Sequence, residues 1–202
     1  MRAQLLVLLA VLLLVPLSAS ARFHLWQITE IYSNANGTVQ FVEAETVNPT
    51  DNENLTNGKS LTSSSTTFTM ASDLATTTTT HFLLFATPAF VSQPGCTNVV
   101  PDFTLAGPNF MSTAGADLIN FANVNNFSYT AGELPTDGVH SLNEPYNSNV
   151  RTTANNSPTN YAGQTCQLPE PGGAFPLVAG AALVLALRQI RPSRHARARL
   201  GV

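Results

Sequence analysis

Leu25-Trp26-Gln27-Ile28-Thr29-Glu30-Ile31-Tyr32, then Ser33-Asn34-Ala35-Asn36-Gly37, then Thr38-Val39-Gln40-Phe41-Val42-Glu43 is the stretch that decides the fold. The first segment is rich in β-branched and aromatic residues and alternates in part, and the last alternates cleanly between apolar and polar positions. The five residues between them are turn formers. Together they read as a β-hairpin, with Asn36-Gly37 supplying the positive φ angles a tight turn needs.

Working outward, further short β-like pieces follow at Lys59–Thr62, Thr66–Met70, His81–Ala86, Leu118–Ala122 and Phe127–Thr130. Asn, Gly, Pro, Ser and Thr fill the connections. Beyond one short turn around Pro88–Val91, no segment sustains a helical period over three turns. Many short strands with Pro/Gly-rich connections favour a sandwich over a barrel. The Ser63–Thr67 stretch and the run Thr76–Thr80 are low in complexity, and β-branched Thr suits an exposed edge strand or loop.

The span from Arg22 to Leu168 holds three basic residues, Arg22, Lys59 and Arg151, against eleven of the chain's twelve carboxylates, so its formal charge is 3 − 11 = −8. The net −3 of the whole chain hides this, because the other basic residues cluster at the two ends. So acidic a core is a poor partner for nucleic acid. A hydrated matrix, a cation or a polysaccharide suits it better.

The two cysteines, Cys96 and Cys166, both fall in this core. In an exported chain a single bridge between them is the simplest pairing. Their wide spacing, with no His beside either, makes a poor metal site.

No catalytic constellation stands out. His24, His81 and His140 are remote from one another in sequence, and neither His-Glu-x-x-His nor Gly-x-Ser-x-Gly occurs. Glu30, Glu43 and Glu45 can meet across the first hairpin, because facing strands bring side chains on one face to about 5 Å. Such a pair suits a glycosidase's acid and base, a calcium site or solvated strand charges. The solvated reading is the expectation, since two or three carboxylates fall short of the six to eight oxygens calcium takes. Asp51-Asn52-Glu53-Asn54 and Asn123–Asn126 read as ordinary turns. No catalytic residue, metal or cofactor is assigned.

The ends carry a different message. Met1-Arg2 opens an apolar run from Leu5 to Leu17, and Ala19-Ser20-Ala21 offers small residues for signal peptidase, so residues 1–21 read as a signal peptide. At the other end Pro169-Glu170-Pro171 precedes an apolar run, Gly172–Leu187, and then Arg188, Arg191, Arg194, Arg197 and Arg199. Arginines hold such an end on the cytoplasmic side while the rest stays outside. Sixteen helical residues rise roughly 24 Å, short of a hydrocarbon core of about 30 Å. Transient retention followed by cleavage suits that length better than the competing reading, an ordinary single-pass anchor. This order of motif, membrane segment and basic cluster resembles the PEP-CTERM sorting signal of Gram-negative bacteria. The resemblance implies an exosortase that recognises the sorting tail, residues 169–202, and removes the segment beyond about Pro171, transient contact with the inner membrane, and delivery to the cell surface or outside.

The core resembles a second family. Trp26-Gln27-Ile28-Thr29-Glu30-Ile31-Tyr32 with Gln40-Phe41-Val42-Glu43 looks like the start of bacterial lamin-tail-like domains. Phe82–Thr87, Leu134–Val139, Ser141-Leu142-Asn143 and Asn156-Ser157-Pro158-Thr159-Asn160 look like later segments of exported relatives. The chain departs from the family at Ala44, where the second strand usually continues with Leu. The resemblance implies an all-β, immunoglobulin-like sandwich over residues 22–168, flanked by the signal peptide and a hydrophobic sorting helix. Its expected role is that of a non-enzymatic binding or structural module of a surface or extracellular matrix, with exopolysaccharide as a candidate partner. A secreted carboxylate-dependent glycan hydrolase and a calcium-dependent adhesin are the alternatives.

Overall fold

A computed structural model describes residues 23–46, 53–75 and 81–169. The signal-peptide reading with Ala19 and Ala21, the run Thr76–Thr80, and the tail from Glu170 onward, Pro171 and the five arginines included, lie outside the described residues.

The hairpin forms as read, from β1 (Gln27–Ser33) and β2 (Gln40–Glu45), but its turn differs in detail. Only Gly37 takes a positive φ, +67°. Asn36 acts through its side chain, whose Oδ1 accepts from the Thr38 amide at 3.1 Å and from the Thr38 hydroxyl at 2.6 Å. Gly37 is required twice over, by its positive φ and because a Cβ there would lie 2.0 Å from Asn109 Oδ1, where the Asn109 amide donates to the Gly37 carbonyl at 2.9 Å.

Among the described residues ten strands make two sheets. After the hairpin come β3 (Ser60–Thr62), β4 (Thr67–Thr69), β5 (Phe82–Ala86), a 3-10 turn at Pro88–Ser92, β6 (Phe103–Thr104), β7 (Asp117–Phe121), β8 (Asn125–Tyr129), β9 (His140–Asn143) and β10 (Thr152–Asn155). One sheet runs β10-β9-β1-β2-β5-β6 and the other β4-β3-β7-β8. All pairings are antiparallel except β5 with β6. The five pieces expected beyond the hairpin correspond to β3, β4, β5, β7 and β8, and Thr67 opens β4 at a sheet edge, as a threonine-rich segment should. Sequence reading missed β6, β9 and β10 as strands. β10 is exposed along its whole length at an edge of the six-stranded sheet and has no apolar alternation to betray it.

The partial alternation of β1 has a structural cause. Ile28 pairs with Ala44 and Glu30 with Glu43, leaving Thr29 as an extra residue, a β-bulge. The bulge resets the facing of the strand. Ile28 and Ile31, three apart, both point into the sandwich opposite Ala44 and Val42, while Glu30 and Tyr32 point the other way.

Between the sheets lie Trp26, Ile28, Ile31, Val42, Leu83 and Phe85 against Leu61, Ile119, Phe121, Phe127 and Tyr129. Phe41 does not share this interior with Trp26, Ile28 and Phe85; it belongs to a second cluster on the outer face of the six-stranded sheet, with Tyr32, Leu84, Ala86, Phe90, Val99 and Leu168. The sheet is thus buried on both faces. A strand in that position loses its alternation, and Phe82-Leu83-Leu84-Phe85-Ala86 is such a continuous apolar run. The outer cluster is roofed by the 3-10 turn and by the chain's return, and the bridge between Cys96 and Cys166, with Cα atoms 5.2 Å apart, ties those two together.

Candidate functional site

The return begins at Asn156, after β10, and runs to Leu168 over the outer face of the six-stranded sheet. This strap, Asn156–Leu168, contains no charged residue. Its two ends are pinned by one side chain: Asn156 Oδ1 accepts from the Leu168 amide at 2.7 Å and its Nδ2 donates to the Val139 carbonyl at 2.6 Å. Asn160 does the same for the bend in the middle. Its Oδ1 accepts from the amides of Ala162 and Gln164, and its Nδ2 donates to the Val100 carbonyl at 2.9 Å. Short amide side chains suit this work because they imitate backbone groups.

Beneath the strap stand three carboxylates, two from the adjacent strands β1 and β2 and one from just before β6, on the far side of β5. Glu30 of β1 accepts from the Ser157 amide at 2.9 Å and its hydroxyl at 3.1 Å. Glu43 of β2 accepts from the Thr159 amide at 2.6 Å. Asp102, just before β6, accepts from the Tyr161 amide at 2.9 Å and from the Leu84 amide at 2.8 Å. The strap therefore offers every second N–H to an acid. Pro158 between the first two has no N–H to place, and its carbonyl accepts from the Cys166 amide at 3.2 Å.

Glu30 and Glu43 are neighbours across the β1–β2 ladder and are only 2% and 5% exposed. Burial pushes both carboxyls above their ordinary range. For Glu30, hydrogen bonds from Ser141 and Ser157 pull the other way. For Glu43 the negative charge of Glu30 adds to burial, the Thr159 amide opposes it, and Glu45 raises it again. Burial likewise lifts Asp102 to about 6 against the bonds from Leu84 and Tyr161. Among the described residues the core's cations are engaged elsewhere: Lys59 lies over the Phe23 ring, and Arg151 pairs with Glu144 at 2.7 Å and Glu133 at 3.4 Å.

The expectation of solvated strand charges is thus overturned for Glu30 and Glu43. The bulge at Thr29 turns Glu30 outward beside Glu43, and the strap then covers both. Neither an open cleft nor a flat solvent-facing sheet describes them. Only Glu45 stays half-buried, near His81 Nε2 at 3.7 Å. The histidines are partly exposed, as expected, and each lies beside an acid: His24 at 2.9 Å from Glu53 and His140 at 2.6 Å from Asp137.

No group of three or more His, Cys, Asp or Glu among the described residues is placed to hold a metal. No helix among them is long and apolar enough to cross a membrane. Pro169, the one described residue of the candidate sorting motif, follows the strap directly and lines a groove with Val139, His140, Asn155, Gln167 and Leu168. Asp102, Asn156 and Asn160 were not singled out as working residues by sequence reasoning. The alternation of Ser157, Thr159 and Tyr161 about Pro158 was the available signal, but the partners lie 127, 116 and 59 residues away.

No family model, curated protein or solved structure matches this chain.

Proposed function

We propose that the chain is an exported, exosortase-processed protein of the cell surface or extracellular matrix, whose sandwich is a non-catalytic binding or structural module of the immunoglobulin-like, lamin-tail type. The observation that carries this reading is the order Pro169-Glu170-Pro171, apolar run, arginine cluster at the end of a chain that opens with a signal-peptide pattern. The Cys96–Cys166 bridge is compatible with an oxidising, extracytoplasmic compartment. The covering of Glu30 and Glu43 by the strap favours a non-catalytic module, because a glycan would have to displace the strap before meeting either carboxyl.

In this reading signal peptidase removes residues 1–21, the tail holds the protein briefly in the inner membrane, and exosortase then removes residues beyond about Pro171. Exopolysaccharide is the candidate partner of the mature surface. Mass spectrometry of the product from its native host tests the proposal. A mature form starting at Arg22 and ending near Pro171 is expected. Extracellular protein that still yields peptides containing Arg199 would refute the processing step.

A further inference from the structure

The strap's seat is unusual in its charge. Two carboxyls from paired strands face each other under it with no lysine or arginine paired to them among the described residues, and the strap brings only amides and hydroxyls to them. Every element packed around the pair can be named. β1 supplies Thr29 and Glu30, and β2 supplies Glu43 and, at its end, Glu45. His81, ahead of β5, faces Glu45. From β9 come Ser141 and Asn143, both uncharged, while His140 at its start is occupied by Asp137. Asp102 stands further along the strap under Tyr161. Nothing in this set neutralises a second negative charge on Glu43.

We propose that the strap is a proton-controlled latch: it is seated while the Glu30–Glu43 pair retains a proton, and the loop Ser157–Thr165 lifts when both carboxyls ionise and must be hydrated. Asn156 and the Cys96–Cys166 bridge keep the two ends of the loop in place. The proton leaves to water and no other group changes. The sign follows from linkage. A carboxyl whose seated-state affinity for protons exceeds its solvated one stabilises the seated state fully at acidic pH, and that contribution is lost as pH rises through the raised value. Burial raises both members of the pair, so the strap is tightest in mild acid and loosest in base. The inference does not depend on the sorting reading.

Amide hydrogen exchange of the full chain, with its disulfide intact, tests it. After correction for intrinsic rates, protection at Ser157 and Thr159 should fall roughly tenfold or more for each unit that the pair's titration is shifted, between about pH 5 and about pH 9, while the Val42 amide in the β1–β2 ladder keeps its protection. In Glu43→Gln the repulsion between the two charges is gone and only the burial of Glu30 remains, so strap protection should fall less with pH than in the parent. Glu30→Gln should behave alike, which guards against one variant failing to fold. Strap protection that is independent of pH in the parent chain overturns the latch even if neither variant folds. So does an equal fall in the parent and the Gln variants, or a fall shared with Val42.

Discussion

Asn156 is the residue on which the outer layer hinges, since one buried amide group joins Val139, before β9, to Leu168 at the strap's end. Replacing it by Ala leaves the Leu168 amide buried without its partner, at a cost of about 1–3 kcal/mol, while the Val139 carbonyl still accepts from the residue 156 backbone amide at 3.0 Å. Asn156→Ala should therefore lower unfolding stability by about 1–3 kcal/mol in a denaturant titration, and a shift under about 0.5 kcal/mol would show that water replaces the amide freely. Trp26 works on the other face. It is buried between the sheets beside Phe121 and Tyr161, with its indole N–H donating to the Glu53 carbonyl at 2.8 Å. Trp26→Ala should cost about 3–5 kcal/mol, and unchanged melting would remove Trp26 from the core.

At the scale of elements, the bulge in β1 decides which side of the sheet each residue serves. A one-residue change of register reverses the facing of everything on one side of it. Deleting Thr29 should put Trp26 and Ile28 on the strap side, or Glu30 into the sandwich, and abolish cooperative unfolding. A sharp melt like the parent's in the deletion variant would show that the facing is set elsewhere. The strap depends on its bridge as well. The cysteines are 70 residues apart, and closing a loop of that length constrains the unfolded chain by about 4 kcal/mol in the entropy model. A Cys96→Ser, Cys166→Ser double variant should lose stability of that order, read from denaturation midpoints, and an equal midpoint would assign the bridge no structural weight.

At the scale of the whole molecule, the ionisation of the core sets a pH profile. Glu30, Glu43, Glu45 and Asp102 are all held above their ordinary range, first of all by burial. Each contributes stability that is full below the ordinary carboxylate range and fades as pH rises through its raised value, near 6 for Asp102. Asp117 runs the other way: burial raises it, but Ser64, Ser112 and Leu118 bond to its ionised form and win, so its contribution is lost in acid. Thermal stability should therefore peak in mild acid and decline toward neutral and alkaline pH. A maximum at about pH 8 or above would contradict that balance.

The chain's own alternation, turn residues and even pair of cysteines determined a two-sheet β architecture, the hairpin and the disulfide, because those depend on near neighbours and on composition. The run Phe82–Ala86 read as a strand, but that it is buried on both faces, Leu83 and Phe85 on one and Leu84 and Ala86 on the other, came only from its place between β2 and β6 under the outer layer. Tertiary structure alone decided the rest. Whether Glu30 and Glu43 meet water depends on one extra residue in β1 and on a strap more than a hundred residues downstream, and no local pattern encodes such a meeting. Asp102 gave no signal either, since its role arises only when the strap's third N–H arrives above it. Solvation is a property of the assembled surface, so the same carboxylates that read as solvated strand charges in sequence become, once covered, acids held above their ordinary range by burial.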